Sequence, residues 1–124
     1  MKSLSVALLQ SDAKTARALA ASLCHHFTAI HAARTMGELR EIIVAQRPEV
    51  AIVDMEMACL SEVERLHRDF AGTCIVCTHR LADEEMWTAA LNAGATDVCP
   101  SFDTRSIVTA ALRSSPSFTH PVAA

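Results

Sequence analysis

Short apolar runs alternate with amphipathic stretches along the chain. Leu4-Ser5-Val6-Ala7-Leu8-Leu9, the weaker Thr28-Ala29-Ile30-His31, Val50-Ala51-Ile52-Val53, Cys74-Ile75-Val76-Cys77 and the short Asp97-Val98-Cys99 read as five strands. Between them, apolar residues recur at helical spacing: Ala16, Leu19, Ala20 and Leu23, then Leu39, Ile42 and Ile43, then Val63, Leu66 and Phe70, then Met86, Ala89, Ala90 and Ala93. A last helix over residues 104–113 carries Ile107, Ala110 and Ala111. Helix starts are marked by side chains that accept from the first free backbone N–H groups. Thr35 with Glu38 and Ser61 with Glu64 have capping-box spacing, Asp83 can cap the fourth helix, and Gly94 ends it.

Five strand–helix units in strict alternation predict an α/β fold, a parallel sheet with helices on both faces, because right-handed crossovers lay each helix over the sheet. Val50 to Val53 lacks polar alternation, as suits a strand covered on both sides. Residues 114–124 have no periodicity and hold two prolines. They are expected to form a flexible tail behind one domain spanning residues 1–113.

At 124 residues and 51% hydrophobic, the chain can bury one substantial core. A net charge of −3, with acids and bases interspersed, offers no basic stripe, so direct nucleic-acid binding is not expected. No apolar stretch approaches the ~20 residues that span a bilayer, and the first strand is too short for a signal-peptide core. A cytoplasmic location follows as an expectation, and the odd count of five cysteines agrees with it. Cys74 and Cys77 stand three apart in a strand and so point to opposite faces. They can neither share one zinc nor form a redox pair, and are read as buried hydrophobes.

In an open parallel sheet, ligands bind in the crevice beyond the carboxyl ends of the strands. The residues able to reach it are Gln10, Ser11 and Asp12, then Asp54 and Glu56, then Thr78, His79 and Arg80, and finally Ser101. Asp54 stands out: it is a lone acid where a wholly apolar run stops.

From Leu4 to about Leu112 the chain resembles the response-regulator receiver domains, the CheY-like modules of two-component signalling. The resemblance rests on Pro48-Glu49-Val50-Ala51-Ile52-Val53-Asp54, on Met57 three residues later, on Thr78 closing strand four, and on Ala90-Leu91-Asn92-Ala93-Gly94-Ala95-Thr96-Asp97. It implies a flavodoxin-like three-layer sandwich with strand order 2-1-3-4-5, Asp54 as phosphoacceptor, Thr78 as a donor to a phosphoryl oxygen, and Mg²⁺ as the metal. It implies a signalling module rather than an enzyme. Such modules take a phosphoryl group from a histidine kinase and work through the surface of the fourth helix, fifth strand and fifth helix. Trp87 falls on that fourth helix, either exposed as a binding anchor or packed against Leu91 and the sheet.

Measured against the receiver pattern, the chain keeps the acceptor and the hydroxyl and loses the charges. Gln10 and Ser11 stand where the family has two metal-binding acids, and Ser101, or Pro100 in a shorter loop, stands where it has a Lys. Val98 takes the place of an aromatic residue found in many receivers. A unit charge ~4 Å away is worth about 1 kcal/mol in water and about 4 kcal/mol at an effective dielectric of 20. Losing two acids therefore predicts weak or absent Mg²⁺ binding, and slow, labile or absent phosphorylation. Asp12 and Glu56 can restore two carboxylates beside Asp54, or be a helix N-cap and a solvated acid. Arg80 can replace the missing cation by pairing with Asp54 or Glu56, or stay exposed.

Three functions follow: an atypical, pseudo-receiver-like single-domain response regulator acting by protein contact, with a homodimer as one form; a conventional phosphorelay carrier rebuilt on Asp12, Glu56 and Arg80; and a small-ligand binder. Ser11-Asp12-Ala13-Lys14 is no glycine-rich phosphate loop, which counts against the third.

Overall fold

The computed structural model describes residues 4–81 and 83–114. Five strands, β1 (Ser5–Leu9), β2 (Ala29–Ala33), β3 (Val50–Asp54), β4 (Cys74–His79) and β5 (Asp97–Pro100), alternate with five helices. The helices are α1 (Ala13–Leu23), α2 (Met36–Gln46), α3 (Leu60–Asp69), α4 (Glu84–Asn92) and α5 (Thr104–Ser114). All strand pairs are parallel, in the order β2-β1-β3-β4-β5. This is the flavodoxin-like sandwich expected. The chain steps outward from β1 to β2 and then returns to the other side of β1, so the strand order reverses between β1 and β3. Crevices open at such a reversal.

Each central strand feeds two cores because its side chains alternate in direction. Ala51 and Val53 join Leu9, Leu39, Ile43, Val63 and Leu66 on the face covered by α2, α3 and α4. Val50 and Ile52 join Leu8, Leu19, Leu23 and Ile107 on the face covered by α1 and α5. All five residues of β3 are buried, which explains its unbroken apolar run. Burying a Leu or Ile side chain contributes about 1.5–3 kcal/mol, so the two layers hold the central strands firmly. Cys77 lies in the first core and Cys99 in the second. Burial pushes their thiols up, to about 12 and about 11 respectively.

Asp12, Thr35 and Asp83 cap α1, α2 and α4, each accepting an N–H from three residues on. The expected start of α3 needs correction. It begins at Leu60, one residue before Ser61, and Glu62 rather than Glu64 closes the cap by accepting the Cys59 N–H at 3.0 Å. Two overlapping x-x-Glu patterns competed, and the one whose helix buries Val63 and Leu66 prevailed. Strands β3 and β4 run further than their apolar cores, through Asp54 and His79. Ala20 and Ala89 are half-buried at the edges of their stripes rather than in the core. The expected tail lies, apart from Ser114 in α5, outside the described residues.

Candidate functional site

The sheet register sets Asp54 beside Thr78, and the Met55 N–H donates to the Thr78 carbonyl at 2.8 Å. Asp54 is therefore the last residue of the sheet on β3, with only 2% of its surface exposed. Its carboxylate is held from two sides. Ser11 donates to Oδ2 from its backbone N–H at 2.8 Å and from its hydroxyl at 2.6 Å, and the Glu56 N–H donates to Oδ1 at 2.9 Å. A buried carboxylate needs such donors, because leaving one unsatisfied costs several kcal/mol.

Gln10 follows β1 and is buried. Its amide Nε2 donates to the Leu9 carbonyl at 3.0 Å and to the Thr78 hydroxyl at 3.2 Å. Thr78 is fully buried. Gln10 thus lies between Thr78 and a cleft of about 570 Å³ whose wall includes Gln10, Ser11 and Asp54, but not Thr78.

Asp12, Glu56, Arg80 and Ser101 line the same cleft. Of the two pairings open to Arg80, the structure has the one with Glu56, Nε to Oε2 at 3.0 Å. With 76% of the Arg80 side chain exposed, this pair adds at most about 1 kcal/mol. It is the only basic residue on the cleft wall among the described residues, and its contact is to Glu56, not to Asp54. Asp12 is the N-cap of α1: its Oδ2 accepts the Thr15 hydroxyl at 2.7 Å and the Thr15 N–H at 3.1 Å. These hydrogen bonds, the hydroxyl's foremost, hold the Asp12 carboxyl below its ordinary range.

Pro100 pairs with His79 inside the sheet, so Ser101 is the residue that faces the cleft after β5. Its N–H donates to the His79 carbonyl at 3.0 Å, while its hydroxyl oxygen is buried without a partner among the described residues. His79 accepts the Leu81 N–H on Nδ1 at 3.0 Å. Val98 is buried. Trp87 takes the exposed alternative, at 45%. Phe102, 78% exposed on the cleft wall, was not anticipated. A lone aromatic in a short loop beside Ser101 was the available signal.

Magnesium asks for near-octahedral oxygen donors, usually with one or two carboxylates. The cleft's carboxylates are otherwise engaged: Asp54 Oδ2 accepts two bonds from Ser11, Asp12 Oδ2 accepts two from Thr15, and Glu56 Oε2 faces Arg80. Among the described residues, no three His, Cys, Asp or Glu side chains gather as a metal-ligand group. As arranged, an ion at these carboxylates would compete with Ser11, Thr15 and Arg80 for the oxygens they already hold.

Neither a protein-family model nor a curated protein matches the sequence. Solved structures do match the fold. The N-terminal signal receiver domain of a two-component response regulator from Bacteroides fragilis superposes with a TM-score of 0.81 at 17% identity, over 91% of this chain and 97% of that one. A response regulator from Thermotoga maritima gives 0.76 at 16% identity, over 87% and 99%. A CheY-like receiver domain from Methanospirillum hungatei JF-1 gives 0.73 at 18% identity, over 87% and 90%. The fold is that of a receiver domain. On this receiver fold, Asp54 closes β3 at the point where the strand order reverses, and Gln10 and Ser11, after β1, and Ser101, after β5, line the same cleft. No helix among the described residues is long and apolar enough to cross a membrane.

Proposed function

We propose that this chain is an atypical receiver module of two-component signalling, a cytoplasmic response-regulator domain that acts through protein contacts with little or no phosphorylation of Asp54. One observation carries the reading: the acceptor carboxylate is buried and tied to Ser11 and to the Glu56 backbone, while the cleft's cation is paired elsewhere. Phosphoryl transfer depends on positive charge placed against the transferring oxygens. Here the one basic residue on the cleft wall among the described residues is already engaged by Glu56, and an aspartyl phosphate, carrying close to two negative charges, would have only that shared cation against it. Partner binding then takes over as the event that shifts a two-state equilibrium. The surface formed by α4, β5 and α5 is the proposed contact, with the exposed Trp87 as its anchor for a signalling protein, a histidine kinase or a second copy of the chain.

A second reading, a conventional carrier with a rebuilt site, draws support from Asp12, Glu56 and Arg80 lining one cleft with Asp54. Acetyl phosphate with Mg²⁺, followed by intact-mass spectrometry, separates the two. The first reading expects no stable phosphoryl adduct. A stoichiometric adduct that Asp54→Asn abolishes would establish the carrier.

A further inference from the structure

The ends of β1, β3 and β4 meet at a buried carboxylate and a buried hydroxyl, and the residues that join them, Gln10 and Ser11, follow directly on β1. Ser11 places two donors on one oxygen of Asp54, across 43 residues of sequence. Gln10 reaches Thr78 across 68 residues and also bonds the Leu9 carbonyl, so its amide is anchored at both hydrogens. Outside these, Arg80 on the loop after β4 holds Glu56 on the loop after β3.

Carboxylates gathered at such strand ends would need a cation to offset their mutual repulsion. The chain has placed hydrogen-bond donors there instead. A serine hydroxyl and a glutamine amide can satisfy Asp54 and Thr78 without adding negative charge, which two acids could do only with a cation present.

We propose that Gln10 and Ser11 are positioning residues of a metal-independent clasp, which keeps the ends of β1, β3 and β4 in one arrangement whether or not Mg²⁺ is present. The inference rests on the receiver-type reading of the cleft and names what holds that site.

The test uses the full chain, with Mg²⁺ as the probe and backbone amide NMR and hydrogen exchange as readouts. In the wild type, the amides of Ser11, Met55 and Glu56 keep their resonance positions as Mg²⁺ is added. Ser11→Ala speeds exchange at the Glu56 N–H about two- to tenfold, the equivalent of losing one hydrogen bond, and Ser11→Thr restores the slow rate by keeping a hydroxyl. Gln10→Met, similar in shape without the amide, has a like effect on the Met55 N–H, which bonds the Thr78 carbonyl. Ser11→Asp converts the site to one whose amides shift with Mg²⁺. The proposal is overturned if wild-type amides move with Mg²⁺ as those of Ser11→Asp do, or if Ser11→Ala and Gln10→Met both leave exchange unchanged. The functional reading fails separately: a wild type that forms the phosphoryl adduct yet shows no Mg²⁺ shifts refutes silent signalling and leaves the clasp intact, whereas shifts without an adduct do the reverse.

Discussion

Replacing Gly94 with alanine meets two obstacles that can be measured apart. The residue has φ +113°, a conformation L side chains rarely adopt, and a Cβ there would lie 2.4 Å from the His67 Cγ and 2.7 Å from its Cβ and Cδ2. The backbone conformation alone costs about 1–3 kcal/mol for a residue with a side chain. Forcing atoms into an occupied contact adds about 1–3 kcal/mol. Because one of the obstructing atoms is the His67 Cβ, rotating the imidazole away does not clear the space, and α3 must move relative to α4. We therefore expect Gly94→Ala to destabilise the fold by about 3 kcal/mol, with a fall in Tm of about 10 °C for a domain of this size. Urea unfolding of Gly94→Ala, His67→Ala and the double variant apportions the loss. His67→Ala removes Cγ and Cδ2 but retains the Cβ, so it should relieve about 1 kcal/mol of the penalty and leave the backbone part in place. A Gly94→Ala protein within about 0.5 kcal/mol of wild type would refute the reasoning, since surface-like substitutions fall in that range. The consequence reaches the cleft. Past Gly94 the Ala95 N–H bonds the Ala90 carbonyl at 3.0 Å and the Thr96 N–H bonds the Ile75 carbonyl at 2.7 Å, which docks β5 on β4 and so sets Ser101 in place. That is the physical content of the Ala-Gly-Ala-Thr-Asp run.

The remaining predictions concern titration and caps. Asp12, Asp69 and Asp103 are held below the ordinary 3.8 chiefly by hydrogen bonds from Thr15, Arg40 and Ser106. Their folded-state values lie under the unfolded ones, so their stabilisation is present above about pH 4 and is lost as pH falls through the folded values. Urea midpoints between about pH 5 and pH 2 should decline, and Asp103→Asn should flatten the decline; a rise on acidification would contradict this. Cys77 and Cys99, raised to about 12 and about 11, contribute stability that is whole below the ordinary 9.0 and lost as pH climbs toward those values. In the native protein near neutral pH, iodoacetamide should modify the exposed Cys24 and Cys59 while sparing Cys77 and Cys99. Peptide mapping that finds Cys77 modified as fast as Cys59 would overturn the buried placement. Asp83→Ala removes the bond to the Met86 N–H at 2.9 Å and should cost about 1 kcal/mol in urea unfolding.

The element order and most helix stripes were legible because they depend on neighbours a few residues away. The period of Leu19 and Leu23, the unbroken run before Asp54, and the Thr35–Glu38 cap each involve residues within one or two turns. Where two local patterns overlapped, at Cys59–Glu62 and Ser61–Glu64, spacing could not choose between them, and packing of α3 on the sheet did. The strand order came from resemblance to receivers, since periodicity says that strands exist and not which ones pair.

The sequence by itself placed Asp54, Glu56, Thr78, Arg80, Gln10, Ser11 and Ser101 at the strand ends, and, set against the receiver pattern, lacks the two acids after the first strand and the lysine after the fifth. Their partners were beyond its reach. Whether Arg80 meets Asp54 or Glu56, whether Asp12 faces a metal or caps α1, and whether Gln10 points outward or down onto Thr78 depend on side-chain directions at the ends of parallel strands. Those directions are set by the pairing of β1 with β3 and of β3 with β4, which joins residues tens of positions apart. A chain read residue by residue carries the inventory of donors and acceptors, and the register of the sheet decides which of them satisfy one another.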